Sequence, residues 1–302
     1  MSVIGGIIMI ETKIVGHNNI ELFTRIWNDA KNPKAVVQVI HGMREHSGRY
    51  LRFCKMLEDN GYIVFITDSR GHGKTCPSFE KLGHGEKDIY AECVQDQINV
   101  SKHIKEKYPQ LPLYVFAHSF GSMIAQKYIQ LCDLADKVVL CGTNNGNNGT
   151  FKLGLFITNI QKAFVGSEKT AKLVEKTNRN LYAKKFDRGN WLTRDEQIFD
   201  AYLADPYCKA EFPISFYNSL FKHMTKVNNG IKDIKKDIKI FLIAGDQDPV
   251  GNYSKNVVSL TKLYQKHGLD ATCKIYPNAR HELHNETNKE EVDKDILNFF
   301  NN

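Results

Sequence analysis

An α/β fold, with a mostly parallel sheet, helices on both faces and an inserted helical cap, is what the 302-residue sequence predicts. Two observations carry it. Short apolar runs that read as buried strands alternate with helical patterns along most of the chain. That rhythm breaks once, across residues 143–236, where helical patterns continue without a convincing buried strand. The expected division is a core built from residues 1–142 and 237–302, with a cap, or lid, over 143–236.

Ile7–Val15 and Ile20–Trp27 are β-rich runs joined by Gly16-His17-Asn18-Asn19, a hairpin signal. Residues Ala35–Ile40 are continuously apolar but for one glutamine, as expected of a strand buried on both faces. Helical spacing follows in Leu51, Cys54 and Leu57 and stops at Asn60-Gly61, before a second buried strand, Tyr62–Thr67. A long helix is expected over 88–107, ending before Pro109. After it come a strand (Leu113–Ala117), a helix (Ser119–Cys132) and a strand (Lys137–Cys141). Beyond the break, the alternation resumes with Ile238–Ala244, Ser254–His267, Thr272–Tyr276 and Lys289–Phe300.

Composition narrows the function classes. A chain 42% hydrophobic and 25% charged, with 8 prolines and no repeat, is globular and long enough for a large core. The net charge of +7 comes from lysines interspersed with acids, which describes a solvated basic surface and argues against nucleic acid as a partner. Seven widely spaced cysteines, none in a C-x-x-C pair, read as reduced thiols. No stretch reaches the roughly 20 apolar residues of a membrane span, and MSVIGGIIMIETK lacks a basic n-region and a cleavage site. A cytoplasmic location is therefore expected, with Met9 as an alternative start.

The chemistry is concentrated where strands end. Ser119, in YVFAHSFGSMIAQKY, lies just past Leu113–Ala117, between the small residues Ala117 and Gly121 that a sharp strand-to-helix turn requires. An alcohol is a weak nucleophile, so Ser119 needs a base within reach and an acid to orient that base. The strand Ile238–Ala244 runs into GDQDPV, which offers Asp246 and Asp248. The strand Thr272–Tyr276 runs into PNARHELH, which offers His281 and His284. The order Ser, Asp, His is that of a nucleophile-elbow hydrolase. An oxyanion hole needs backbone N–H groups, for which the amides of Phe120 and of Met43, in the loop after Ala35–Ile40, are placed.

These motifs resemble the monoacylglycerol lipase/lysophospholipase branch of the α/β-hydrolase superfamily. HGMREHSGRY (41–50) is similar to that branch's H-G-x-x-E-H-S-G-R-Y, and DSRGHGKT (68–75) to its D-x-R-G-H-G-x-S. AHSFGS stands where the family has GHSMGG, so Ala117 and Ser122 replace glycines. GDQDPV fits G-x-x-D-x-x, which selects Asp248, and YPNARHELHNE fits Y-P-x-A-x-H-E-x-x-N-E, which selects His281. NWLTRDEQIFDAYLADPYC (190–208) is reminiscent of the branch's cap. The resemblance implies an α/β-hydrolase fold and hydrolysis of carboxylic esters with an apolar acyl chain through an acyl-enzyme on Ser119. The expected substrate is a small ester or a lipid, with no metal and no cofactor. Amidase or peptidase, thioesterase and acyltransferase activities share the same machinery, and a ligand-binding protein on this fold is the alternative outside catalysis.

Some features carry less. SRGHGKT resembles a phosphate loop but has Asp68 where G-x-x-x-x-G-K-[ST] needs glycine. HELH is not H-E-x-x-H, and its two histidines lack an evident third ligand in the sequence. Glu45, His46 and Arg49 read as braces of the oxyanion loop. Within the insertion, Leu153, Phe156, Ile157, Ile160 and Phe164 form one apolar helical face. That face fits acyl-chain binding or contact with a lipid surface, and it fits packing in the core equally well.

Overall fold

A computed structural model describes residues 2–4, 6–146 and 149–302; the expected domain ranges also take in residues 1, 5, 147 and 148, which lie outside the described residues. Among the described residues one sheet runs through nine strands: β1 (Ser2–Ile4), β2 (Ile7–Val15), β3 (Glu21–Trp27), β4 (Ala35–Ile40), β5 (Tyr62–Thr67), β6 (Leu113–His118), β7 (Lys137–Cys141), β8 (Lys239–Gly245) and β9 (Asp270–Tyr276). Their order is β1-β2-β3-β5-β4-β6-β7-β8-β9, antiparallel from β1 to β5 and parallel from β5 to β9.

The alternation of side chains along each strand sorts the core into two faces. Val139 and Cys141 of β7 and Phe241 and Ile243 of β8 pack with the helices α1 (Leu51–Asp59) and α9 (Lys289–Asn301). Val138 and Leu140, with Ile240 and Leu242, face the other way, onto α2 (Ile89–Lys107), α3 (Phe120–Leu131) and α8 (Lys255–Lys266). Both faces are covered, so the central strands are apolar throughout rather than alternating.

Between β7 and β8 lie α4 (Gly149–Val165), α5 (Lys172–Tyr182), α6 (Glu196–Ala204) and α7 (Ile214–Met224), with short 3₁₀ turns and one isolated bridge, Thr170 to Pro213. α7 packs on α2 and on α4. Gly154 brings α4 up against the ring of Phe221, where a Cβ would collide. α4 presents the opposite face from the one a core-packing reading requires. Phe151 and Thr158 are buried, and Asn218 of α7 donates to Thr158 Oγ1 at 3.1 Å. Leu153, Phe156, Ile160 and Phe164 are 59, 62, 44 and 86% exposed, while Ile157 is half-buried. No helix among the described residues is long and apolar enough to cross a membrane.

Candidate active site

β4, β6, β7, β8 and β9 are consecutive neighbours in the sheet, so the loops leaving their carboxyl ends converge on one place. Ser119 follows β6 and caps α3 at φ 53°, ψ −120°, a left-handed backbone that a residue other than glycine adopts only under constraint. Several contacts impose it. Its amide donates to Cys141 O at 2.9 Å, and its carbonyl accepts from Met123 N at 3.1 Å and from Ser122 Oγ at 2.5 Å. Gly121 packs against the carbonyls of Ile40 and His41, where a Cβ would collide. The two departures from the family pattern are thereby explained. Ala117 is a buried strand residue paired with Ile40, and the hydroxyl of Ser122 turns back onto the turn it belongs to.

Ser119 Oγ lies 2.7 Å from His281 Nε2, and His281 Nδ1 lies 2.9 Å from Asp248 Oδ2. Asp248 is fully buried, and its other oxygen accepts from Val250 N at 2.9 Å. Asp246 instead caps the Asn278 turn, accepting from Asn278 N at 2.8 Å. Burial pulls the His281 pKa down, but the Asp248 carboxylate outweighs it and holds the imidazole above its ordinary value. His284 shows the opposite balance. Its Nε2 takes the Asn285 side-chain amide at 3.1 Å, its ring stacks on Tyr50, and burial pushes it down to about 3. The structure therefore brings Ser119, His281 and Asp248 together and leaves Asp246 and His284 outside the chain of hydrogen bonds.

The two expected oxyanion donors border the same spot. Phe120 opens α3, so its amide has no carbonyl one turn back to satisfy it. Gly42, just before Met43, packs so closely on Ser119 that a Cβ there would lie 3.1 Å from Ser119 Cβ. Glu45 holds this loop from below: its Oε1 accepts from Gly42 N and, at 2.7 Å, from Tyr50 OH. Arg49 bridges Glu45 to Glu282, the residue after His281, with both bonds to Glu282 at 2.7 Å. Burial alone would raise the Glu282 carboxyl, but Arg49 holds it down to about 2. His46 reaches outward, to Asp205 in the insertion at 2.8 Å.

Asp68 fills the place a phosphate would take in the loop 68–75. Its two oxygens accept from Ser47 N and Lys74 N, each at 2.7 Å, so this segment is a structural turn. His284 does acquire neighbours that the sequence did not reveal. Its ring, His118 and Cys141 place nitrogen and sulfur atoms within 4.8 Å of one another. The thiol is buried, which pushes its pKa well up, and a metal would first have to displace that proton.

Of the expected substrate contacts on the apolar stripe, Leu153, Phe156 and Ile160 are exposed and Ile157 is half-buried. The insertion contributes different residues. Phe216 packs on Phe120 with ring centroids 5.1 Å apart, and Phe212 lies 4.6 Å from Phe216. Trp191 lies over the His281 ring at 5.0 Å. The strand-end pattern cannot find these residues, because their partners are distant in sequence and no spacing rule links them.

Residues 31–288 match the Hydrolase_4 family, described as serine aminopeptidase, S33. Human monoglyceride lipase is 28% identical over 271 residues, covering 88% of this chain and 81% of the lipase. The monoglyceride lipase homolog of Monkeypox virus is 25% identical, covering 93% of this chain and 92% of its own. Among solved structures, a highly thermostable carboxyl esterase from Bacillus coagulans superposes with a TM-score of 0.89 at 27% identity, covering 97% of this chain and 98% of the esterase.

Proposed function

The chain belongs to the Hydrolase_4 family of α/β-hydrolases, and on that premise we propose that it hydrolyses carboxylic esters of lipids with Ser119 as nucleophile. The observation that carries this reading is the continuous path from Ser119 Oγ through His281 to a buried Asp248. Neutral His281 accepts the hydroxyl proton at Nε2 as Oγ bonds to the ester carbonyl carbon, and the carbonyl π electrons move onto oxygen. Asp248 accepts a hydrogen bond from Nδ1–H, which fixes the tautomer and stabilises the imidazolium. The amides of Met43 and Phe120 donate to the oxyanion. Collapse of the tetrahedral intermediate breaks the bond to the alkoxy oxygen, which leaves as an alcohol with the proton from Nε2. Water then attacks the acyl-Ser119 ester by the same steps, with His281 again as base, and releases the acid.

Residues 143–236 act as the cap. Phe216, packed against Phe120, and Phe212, packed against Phe216, give the nucleophile an apolar side that suits an acyl chain. The exposed face of α4 (Leu153, Phe156, Ile160, Phe164) is suited to resting on a lipid surface, where buried apolar area supplies the binding energy. All seven cysteines are free, which accords with a reducing, cytoplasmic compartment.

The family description, serine aminopeptidase, favours one second reading, cleavage of an amide. Comparing kcat/KM for a monoacylglycerol, a lysophospholipid and an aminoacyl anilide separates the two. The ester reading expects the lipid esters to be turned over far faster; a preference for the anilide would replace it with the peptidase reading.

A further inference from the structure

The insertion does more than lie over Ser119, because one segment of it is bonded into the loop that carries His281. Glu282 N donates to Leu192 O at 2.7 Å and His281 N to Trp191 O at 3.4 Å. Arg280 Nη1 donates to the carbonyls of Asn190 and Thr193 at 2.6 and 2.9 Å. In the other direction, Thr193 Oγ1 donates to Asn285 O at 2.8 Å, and Arg194 Nε donates to the fully buried Glu286 at 2.8 Å. The same Glu286 accepts from Arg280 N at 2.8 Å, which ties the two segments into one unit. A lid that only gates access has no need of this.

The unit places an aromatic ring on His281. The imidazole is held at its edges by Asp248 and Ser119, but two in-line hydrogen bonds leave it free to rock about the axis through them. Two rings pack against it, and the backbone of Gly142 lies close enough that a Cβ there would sit 3.0 Å from His281 Cε1. His118, at the end of β6, lies 4.7 Å from the His281 centroid, and Trp191 lies 5.0 Å away at 40°. Tyr182 of α5 packs on Trp191 at 5.3 Å and backs it. Of the two rings, His118 comes from the core and Trp191 from the insertion.

We propose that Trp191 is a positioning residue for His281, so that the insertion sets the orientation of the general base as well as the access to it. The inference rests on the assignment of Ser119 and His281 made above. A base must be in line with the proton it takes, and a misplacement of about 1 Å can cost about a hundredfold in rate. Trp191→Leu keeps an apolar side chain and the backbone bonds but removes the ring. The expected result is a kcat lowered by about ten- to a hundredfold, equally for a C2 and a C12 p-nitrophenyl ester, with KM little changed. Trp191→Phe, which restores a ring over His281, should recover most of the loss. The unmodified protein offers a second measurement, since protonated imidazole quenches a neighbouring indole. Its tryptophan fluorescence should fall as pH drops through the acid limb of kcat/KM, a signal from Trp191 because Trp27, the other tryptophan, is wholly buried in the core.

A Trp191→Leu enzyme with wild-type kcat on both esters overturns the proposal. A loss confined to KM and growing with chain length also overturns it, since that would make Trp191 a substrate contact. If the leucine variant does not fold, a flat fluorescence titration of the unmodified protein overturns it alone. Ser119→Ala keeps the two claims apart. If that variant remains active, the assignment of Ser119 is what fails; if it is inactive while Trp191→Leu is unimpaired, only the positioning role fails.

Discussion

Asp246 and Asp248 stand two positions apart in GDQDPV, yet their surroundings give them different work. Asp248 is buried against His281 Nδ1, whereas Asp246 accepts from the Asn278 amide and holds a turn. Asp248→Asn should lower kcat by on the order of 10⁴-fold, because the amide can stabilise neither the tautomer nor the imidazolium. Asp246→Asn keeps an oxygen for the turn and should cost far less. Steady-state kinetics of both variants decide it, and the reverse ranking refutes the assignment. The same pair of groups sets the pH dependence. His281 must be neutral to accept a proton, and Asp248 holds its pKa above the ordinary value of about 6.5. Activity should therefore be complete above that raised pKa and be lost as pH falls through it, with the acid limb of kcat/KM lying above about 6.5. In stability the sign is opposite: the protonated His281–Asp248 pair favours the native state below the unfolded pKa, and the gain is lost as pH rises through the native one. Asp248→Asn should shift the acid limb of the residual activity to lower pH. A limb that stays in place in this variant would mean that another group titrates there.

Among the elements, α4 has its apolar face turned outward. Thr158 and Phe151 face the protein, and Asn218 satisfies the Thr158 hydroxyl, so the outward turn of Leu153, Phe156, Ile160 and Phe164 is built into the packing. Fully burying a side chain of the size of Phe contributes about 1.5–3 kcal/mol. Phe156→Asp removes that contribution at a lipid surface and adds a charge that must stay in water. Hydrolysis of a long-chain ester presented in vesicles should fall about tenfold or more, while turnover of a soluble acetyl ester should be unchanged. Equal losses on both would mean that the substitution disturbs the fold of the insertion and that the face has no part in lipid contact. α3 is fixed by a different constraint, the approach of Gly121 to the carbonyls of Ile40 and His41, which seats the helix start against β4. This is the reason the turn has glycine at 121.

Across the whole molecule, what can be read in the sequence is what local pattern encodes. β4 to β8 are legible because a strand covered on both faces is largely apolar along its length, while β9 is a half-exposed edge strand; the strand-end positions of Ser119, Asp248 and His281 follow from the order of these strands. The short β1 escapes notice, since three residues carry no period to detect. The α4 stripe shows the limit most clearly. Periodicity reports that Leu153, Phe156 and Ile160 share a face, but what that face meets depends on α7, more than fifty residues further on. Trp191 and Glu286 are missed for the same reason, their partners being about ninety residues away. The central claim is that Ser119 is an activated nucleophile, and a fluorophosphonate tests it directly, because an ordinary serine does not displace its fluoride. Mass spectrometry of the labelled, proteolysed protein should find one adduct, on Ser119, absent from Ser119→Ala and formed far more slowly in His281→Ala. An active enzyme that takes no label at Ser119, or an adduct on another serine that persists in Ser119→Ala, would contradict it.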